Sequence, residues 1–252
     1  MQYTPTLLEM LKAGVHFGHR SSKWHPHMEP YIFTTKKNVH IIDLESTQQK
    51  LAESVNVVRD LTAQGKIILF VGTKPQAQAI IKKYASACGM PYTVNRWIGG
   101  MLTNFRHMST VTRKLTSLKQ QRETGELKKY TKKEQLEFDR EIERLEEMVG
   151  GIEHMTKLPD MVFIVDLSKE KTALREALQI QIPILAMCDT NVDPKSVDYP
   201  IPSNDDAVKS IELIVRSIAE AVEEGKKNPI VTPTKTETPA AAPASPETAK
   251  QE

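Results

Sequence analysis

A chain of 252 residues with 39% hydrophobic content is long enough to bury a full core without covalent staples. Its two cysteines, Cys88 and Cys188, stand a hundred positions apart with no CxxC or Cys/His spacing, which excludes a disulfide framework and a zinc knuckle. The net charge of +2 hides a segregation of charge along the chain, and no segment approaches the roughly 18 unbroken apolar residues of a membrane span, so a cytoplasmic protein without a membrane partner is expected.

Residues 1–38 form a segment without a clear period. The first forty residues carry five Lys/Arg against two Glu, with five histidines besides. AGVHFGHRSSKWHPH, then Pro30 and the polar TTKKN, is loop-rich, basic and aromatic, which suits docking on a folded RNA surface. Arg20, Lys23, Lys36 and Lys37 are the phosphate candidates, with His16, His19, Trp24 and His25 beside them. The competing account has Phe17 or Trp24 capping a sheet edge.

Four apolar runs read as strands covered on both faces: VHIIDL (39–44), KIILFVG (66–72), MVFIVD (161–166) and IPILAMCD (182–189). MPYTVN (90–95) completes about five. Helical stretches fall at 46–64, 74–88, 169–179 and 205–224, the last with Ser203 or Asn204 as N-cap and Asp205 and Asp206 in its first turn. This alternation predicts an α/β fold, a doubly wound parallel sheet built from 39–104 and 156–225.

An insertion at 105–155 interrupts it. Apolar residues recur at Met108, Val111, Leu115 and Leu118, and again at Phe138, Ile142, Leu145, Val149 and Ile152, steps of three and four that predict an antiparallel coiled-coil hairpin turning at ETGELKKYTKK and closed by Gly150 and Gly151. Residues 106–129 hold seven Lys/Arg against two Glu, and residues 131–149 four against seven acids. Arg113 and Lys114 on the basic helix join the RNA candidates. The tail, 226–252, is rich in Pro, Ala and Thr and is expected to be disordered.

An enzymatic reading fails on spacing. FVGTKPQ offers one glycine before Thr73 and Lys74, and Pro75 removes a donor, whereas a phosphate loop needs a run of backbone N–H groups. Lys74 is therefore expected to be replaceable at little cost. The histidines lack zincin spacing, and the scattered acids are those that end strands and cap helices, so no catalytic residue, metal or cofactor is expected. An ion held jointly by His19, Asp189 and Asp205 is the alternative that spacing leaves open.

The blocks AGVHFGHRSSKWHPHMEPYIF, NVHIIDLEST, FVGTKPQA, NRWIGGMLTNF, LPDMVFIVD, CDTNVDPKSVDYPIPSNDDA and SIELI resemble, in order, the bacterial small-subunit ribosomal protein S-two family from about Leu7 to Ile214. Gln181 and Cys188 depart from the usual family pattern, in a turn and a strand interior. The resemblance implies a flavodoxin-like sheet domain with a coiled-coil hairpin. It also implies a non-catalytic role on the small ribosomal subunit: binding ribosomal RNA and neighbouring proteins, and helping to recruit the messenger-binding protein S-one. In NRWIGGMLTNF (95–105), Arg96, Asn104 and Arg106 are the RNA candidates, while Trp97 and Phe105 are expected to pack under the hairpin base.

Overall fold

The computed structural model describes residues 4–229. Helix α1 (Leu7–Ala13) opens with a capping box, Thr6 and Glu9 bonding each other's backbone, and closes on Gly14 at φ 76°. Three short strands follow, β1 (Phe17–Arg20), β2 (Ile32–Lys36) and β3 (Val39–Ile42), paired antiparallel in the order β1-β3-β2. After helix α2 (Leu44–Ala63) come β4 (Ile68–Val71), α3 (Pro75–Ala87), β5 (Tyr92–Thr93), the long helices α4 (Phe105–Glu123) and α5 (Lys132–Val149), β6 (Met161–Ile164), α6 (Lys171–Gln179), β7 (Ile184–Cys188), β8 (Tyr199–Pro202) and α7 (Val208–Lys227). The five strands β4 to β8 pair parallel in the order β5-β4-β6-β7-β8.

The α/β parallel sheet of five strands is as expected, but one of its strands is not. VHIIDL lies outside it, in the antiparallel sheet. Its burial alternates between half-buried and buried, and Lys37 and Asn38 before it take φ of 50° and 62°, the left-handed pair that a two-residue hairpin requires. The fifth parallel strand is instead YPIP. Its two prolines cannot donate to a ladder on both sides, so it occupies the sheet's edge.

Side chains alternate across the sheet. Ile68, Phe70, Met161, Phe163, Leu185, Met187 and Ile201 enter the core shared with α2, α3 and α7. Leu69, Val71, Val162, Ile164, Ile184 and Ala186 enter the core on the opposite face. Phe70 and Phe163 are register partners and meet edge to face at 5.4 Å. Gly225 permits α7 to cross α2 closely, since a Cβ there would strike Thr62 and the Arg59 carbonyl.

Helices α4 and α5 pack on each other and are bridged by Lys114–Glu141 at 2.8 Å and Arg122–Asp139 at 3.9 Å. Met108, Leu115, Leu118, Ile142, Leu145, Val149 and Ile152 are buried, while Val111 and Phe138 are half-buried. Their apolar cluster is continuous with the second face of the sheet, so the base of this pair is anchored rather than free-standing. Gly151 serves close approach, because a Cβ would collide with Tyr92 of β5. Helix α7 extends through Lys226 and Lys227, two residues assigned above to the tail, and Lys226 Nζ donates to the Cys88 carbonyl at 2.6 Å. The rest of the expected disordered tail, from residue 230, lies outside the described residues.

Candidate nucleic-acid interface

In a doubly wound sheet the ligand crevice lies beyond the carboxyl ends of the strands where connections leave in opposite directions. Here that point lies between β4 and β6, and it is filled from within. Lys74 Nζ stands 2.6 Å from Asp206, 2.8 Å from Asp205 and 3.4 Å from Asp166. Thr73 donates its N–H and hydroxyl to Glu170, at 3.0 and 2.5 Å, while Lys169 Nζ donates to the Thr73 carbonyl at 2.8 Å. Burial acts to lower the Lys74 ammonium, but hydrogen bonds to Asp205 and Asp206 hold it well above the ordinary lysine value. Burial, with Asp166 and Asp189 adding to it, pushes the Asp205 carboxyl up to about 7 against the pull of Lys74. The two groups that resembled a phosphate cradle are thus committed to internal partners. Lys74 is the cation of a buried carboxylate cluster, which corrects its reading as a dispensable helix-start residue. Asp205 and Asp206 are not in the first turn of α7 either. Asn204 makes a turn with the N–H groups of Asp206 and Ala207, and the helix begins at Val208.

The N-terminal segment covers this crevice. His19 Nδ1 lies 3.1 Å from Asp189 and Nε2 3.6 Å from Asp206, while the His19 N–H donates to the Thr190 hydroxyl at 2.8 Å. Gly18 is required there, since a Cβ would press into Thr190. Asn204 donates to the carbonyls of Val15 and Gly14, each at 3.0 Å. The hydrogen bond to Asp189 outweighs burial and raises the His19 pKa above its ordinary 6.5. His19, Asp189, Asp205 and Asp206 each offer a ligand atom within 4.8 Å of the others, a geometry that suits a divalent cation. His19 is thus occupied by carboxylates rather than turned outward. His16 is half-buried, its pKa lowered by burial and its Nδ1 left without a partner among the described residues.

The cationic candidates divide into two groups. Arg20 of β1 is the register partner of Val39, and Val39 is the partner of Lys36 in β2. Directly opposed residues share a face, so Arg20 and Lys36 form one cross-strand row, with Lys37 at its turn and Lys23 one short turn beyond Arg20. Trp24 is part-exposed and tilts against His40 at 5.4 Å, and the His25 N–H is held by the Thr190 carbonyl at 2.7 Å. Arg96, Asn104, Arg106 and Arg113 are exposed on the loop before α4 and on α4 itself. Asn104 makes no side-chain cap and the first turn of α4 holds no acid. Among the described residues Arg20, Lys23, Lys36, Lys37, Arg96, Arg106 and Arg113 have no carboxylate partner. Lys114 differs, being paired with Glu141.

The NRWIGGMLTNF loop is organised by a residue that sequence reading missed. Glu176 on α6 accepts hydrogen bonds from Trp97 Nε1 at 3.1 Å, from the backbone N–H groups of Gly100, Leu102 and Thr103 at 2.8, 3.0 and 3.2 Å, and from the Thr103 hydroxyl at 3.2 Å. Gly100 takes φ 87° to bring these donors round. Trp97 is buried in the core beneath the helix pair, and Phe105 packs half-buried against it. In REALQ a lone glutamate looks like a solvated helix residue, and its partner in the Gly-Gly pair, Gly100, stands 76 positions upstream.

The family model for ribosomal protein S2 matches residues 10–225. Small ribosomal subunit protein uS2 of Wolinella succinogenes is 48% identical over 221 residues, covering 88% of this chain and 82% of that relative. Its counterpart in Nitratiruptor sp. is 49% identical over 222 residues, covering 88% and 83%. That of Helicobacter pylori strain P12 is 46% identical over 222 residues, covering 88% and 84%. This chain belongs to the ribosomal protein S2 family.

Proposed function

We propose that the chain is a structural constituent of the small ribosomal subunit that docks on ribosomal RNA through two groups of cations, one on the N-terminal segment and one on the loop before α4 and on α4 itself. The protein is not an enzyme. The observation that carries the RNA reading is the clustering of cations without internal partners at these two places. Lys74 and Lys119 are held by internal carboxylates, and the exposed Lys114 pairs with Glu141, whereas the Arg20–Lys36 row and the Arg96, Arg106 and Arg113 group have no internal partner among the described residues. Clustered like charges repel and gain their stabilisation only from an outside polyanion. Arg106 lies in the first turn of α4, where the helix dipole and free N–H groups favour an incoming phosphate.

Protein neighbours, with S-one among them, would use the other exposed feature. Leu8, Leu11 and Phe33 are 59%, 49% and 75% exposed and line one groove with Ile41 and Leu44. Contiguous exposed apolar side chains of this kind mark protein contacts. Among the described residues no helix is long and apolar enough to cross a membrane, and the ribosome in the cytoplasm is the proposed location. The test is co-sedimentation of purified protein with small subunits lacking it, at moderate salt. Stoichiometric recovery in the pellet supports the reading, and protein left in the supernatant refutes it.

A further inference from the structure

His25 and His27 flank Pro26 at the start of a 3-10 turn, and Asp193 precedes Pro194 in the loop after β7. Spacing along the chain gave these residues no metal-binding pattern, because the third member stands 166 positions from His27. Folding brings them together. His27 Nδ1 lies 2.9 Å from Asp193 Oδ1, the two imidazole rings are 5.1 Å apart between centroids, and one ligand atom from each of the three residues lies within 4.8 Å of the others. Neighbouring ligands around a tetrahedral zinc-class ion stand about 3.3 Å apart, as bond lengths of ~2.0–2.1 Å require. The His27–Asp193 edge is already near that separation, and the two edges to His25 lie within 4.8 Å.

The three residues rest on backbone that is held in place. The His25 N–H donates to the Thr190 carbonyl at 2.7 Å, and its carbonyl accepts from Met28, whose side chain is buried in the core. Asp193 accepts the Lys195 N–H at 3.0 Å, and its carbonyl accepts the Ser196 hydroxyl at 2.6 Å. Pro26 and Pro194 fix φ beside the ligands. The His27 N–H approaches His25 Nδ1 at 3.3 Å, a long contact that an incoming ion can displace. The side chains of His27 and Asp193 are 45% and 36% exposed, so an ion reaches them without unfolding.

We propose that His25, His27 and Asp193 form a binding site for a divalent transition-metal ion of the zinc class, with the fourth position left to water. Two imidazoles and one carboxylate are a donor set of borderline softness, matched to zinc, cobalt, nickel and copper rather than to magnesium or calcium. The site shares no residue with the His19, Asp189, Asp205 and Asp206 group. It pins the HPH turn of the N-terminal segment to the loop after β7, the same junction that Thr190 secures through its backbone.

The test uses the full chain stripped with a chelator, titrated at mildly alkaline pH, where protons compete less with metal for its ligands, with zinc in a calorimeter and with cobalt as a visible-absorption probe. His25→Gln, His27→Gln and Asp193→Asn are compared with wild type and with His19→Gln, each checked for native melting. His27→Gln changes an exposed ring and is the variant safest for folding. The site predicts that the three variants lose one zinc equivalent, or bind it at least about tenfold more weakly, together with its cobalt absorption, while His19→Gln retains both. Variants that titrate like wild type overturn the proposal, as does a wild type that takes up no ion, or a binding event lost only in His19→Gln.

Discussion

Trp97 Nε1 donates to Glu176 Oε1 at 3.1 Å, and this contact ties the loop before the helix pair to α6 on the same face of the sheet. Around it the carboxylate collects four further donors from Gly100, Leu102 and Thr103. Glu176→Ala leaves buried N–H groups without acceptors and is expected to cost about 3 kcal/mol, on the order of one to three for each unsatisfied buried group after local relaxation. Chemical denaturation of the variant against wild type measures it, and a loss below about 1 kcal/mol would show that the loop finds other partners.

Glu176 also sets an acid limit. Burial acts to raise its pKa, but the bonds from Trp97 and the three backbone N–H groups prevail and lower it below the ordinary 4.5. A carboxylate with a depressed folded-state pKa contributes stability that is complete above its unfolded value and is lost as pH falls through the folded one. The stability gap between wild type and Glu176→Gln is therefore expected to be constant at neutral pH and to shrink below 4.5. Melting curves across that range decide it; a gap that widens on acidification contradicts the assignment.

Lys74→Met is expected to destabilise the protein by about 3 kcal/mol, the magnitude of stranding one partner of a buried ion pair. It leaves Asp205 and Asp166, both buried, without their cation. Loss of Lys74 also removes the pull that opposes the raised Asp205 pKa of about 7, so the defect should grow as pH rises through neutrality, where that carboxyl ionises. Urea titrations of both proteins on either side of neutral pH give the answer, and a variant as stable as wild type at alkaline pH refutes the cluster's role.

The helix pair has an anchored base and a projecting end. Joining Lys119 to Leu145 through a short Gly-Ser linker removes the distal turns with Leu127 and Ile142 but keeps Met108, Leu115, Leu118, Val149 and Ile152 on the sheet-face core. The shortened chain should unfold cooperatively, with native far- and near-ultraviolet circular dichroism. A molten product would place the distal turns in the folding core.

Much of this architecture was legible in the sequence because apolar runs and helix periods report burial directly. Four of the five parallel strands and the helix pair followed from such patterns, while the burial of Trp97 followed from its place at the junction of sheet and helix pair. What escaped was encoded in single residues or by distant partners. The exchange of VHIIDL for YPIP turned on Lys37 and Asn38 adopting left-handed φ, and on two prolines that read as loop but are tolerated at a sheet edge. Helix α1 was overlooked although Thr6 and Glu9 spell a capping box. Glu176, Lys74 and Asp193 look like ordinary polar residues until partners 73 or more positions away close on Glu176, 131 on Lys74 and 166 on Asp193. No local pattern carries such contacts.

The central claim is that the Arg20–Lys36 row and the Arg96, Arg106 and Arg113 group, which have no internal carboxylate partner among the described residues, are the cations that meet RNA. Affinity for small subunits lacking this protein, measured against salt concentration for wild type and for the combined Arg20→Ala, Lys23→Ala, Arg106→Ala and Arg113→Ala variant, tests it most directly. The log-log slope should flatten by about 0.7–0.9 for each phosphate contact removed, while Lys114→Ala, whose ammonium serves Glu141, leaves the slope unchanged. An unaltered slope in the combined variant, or an equal flattening from Lys114→Ala alone, would contradict the account.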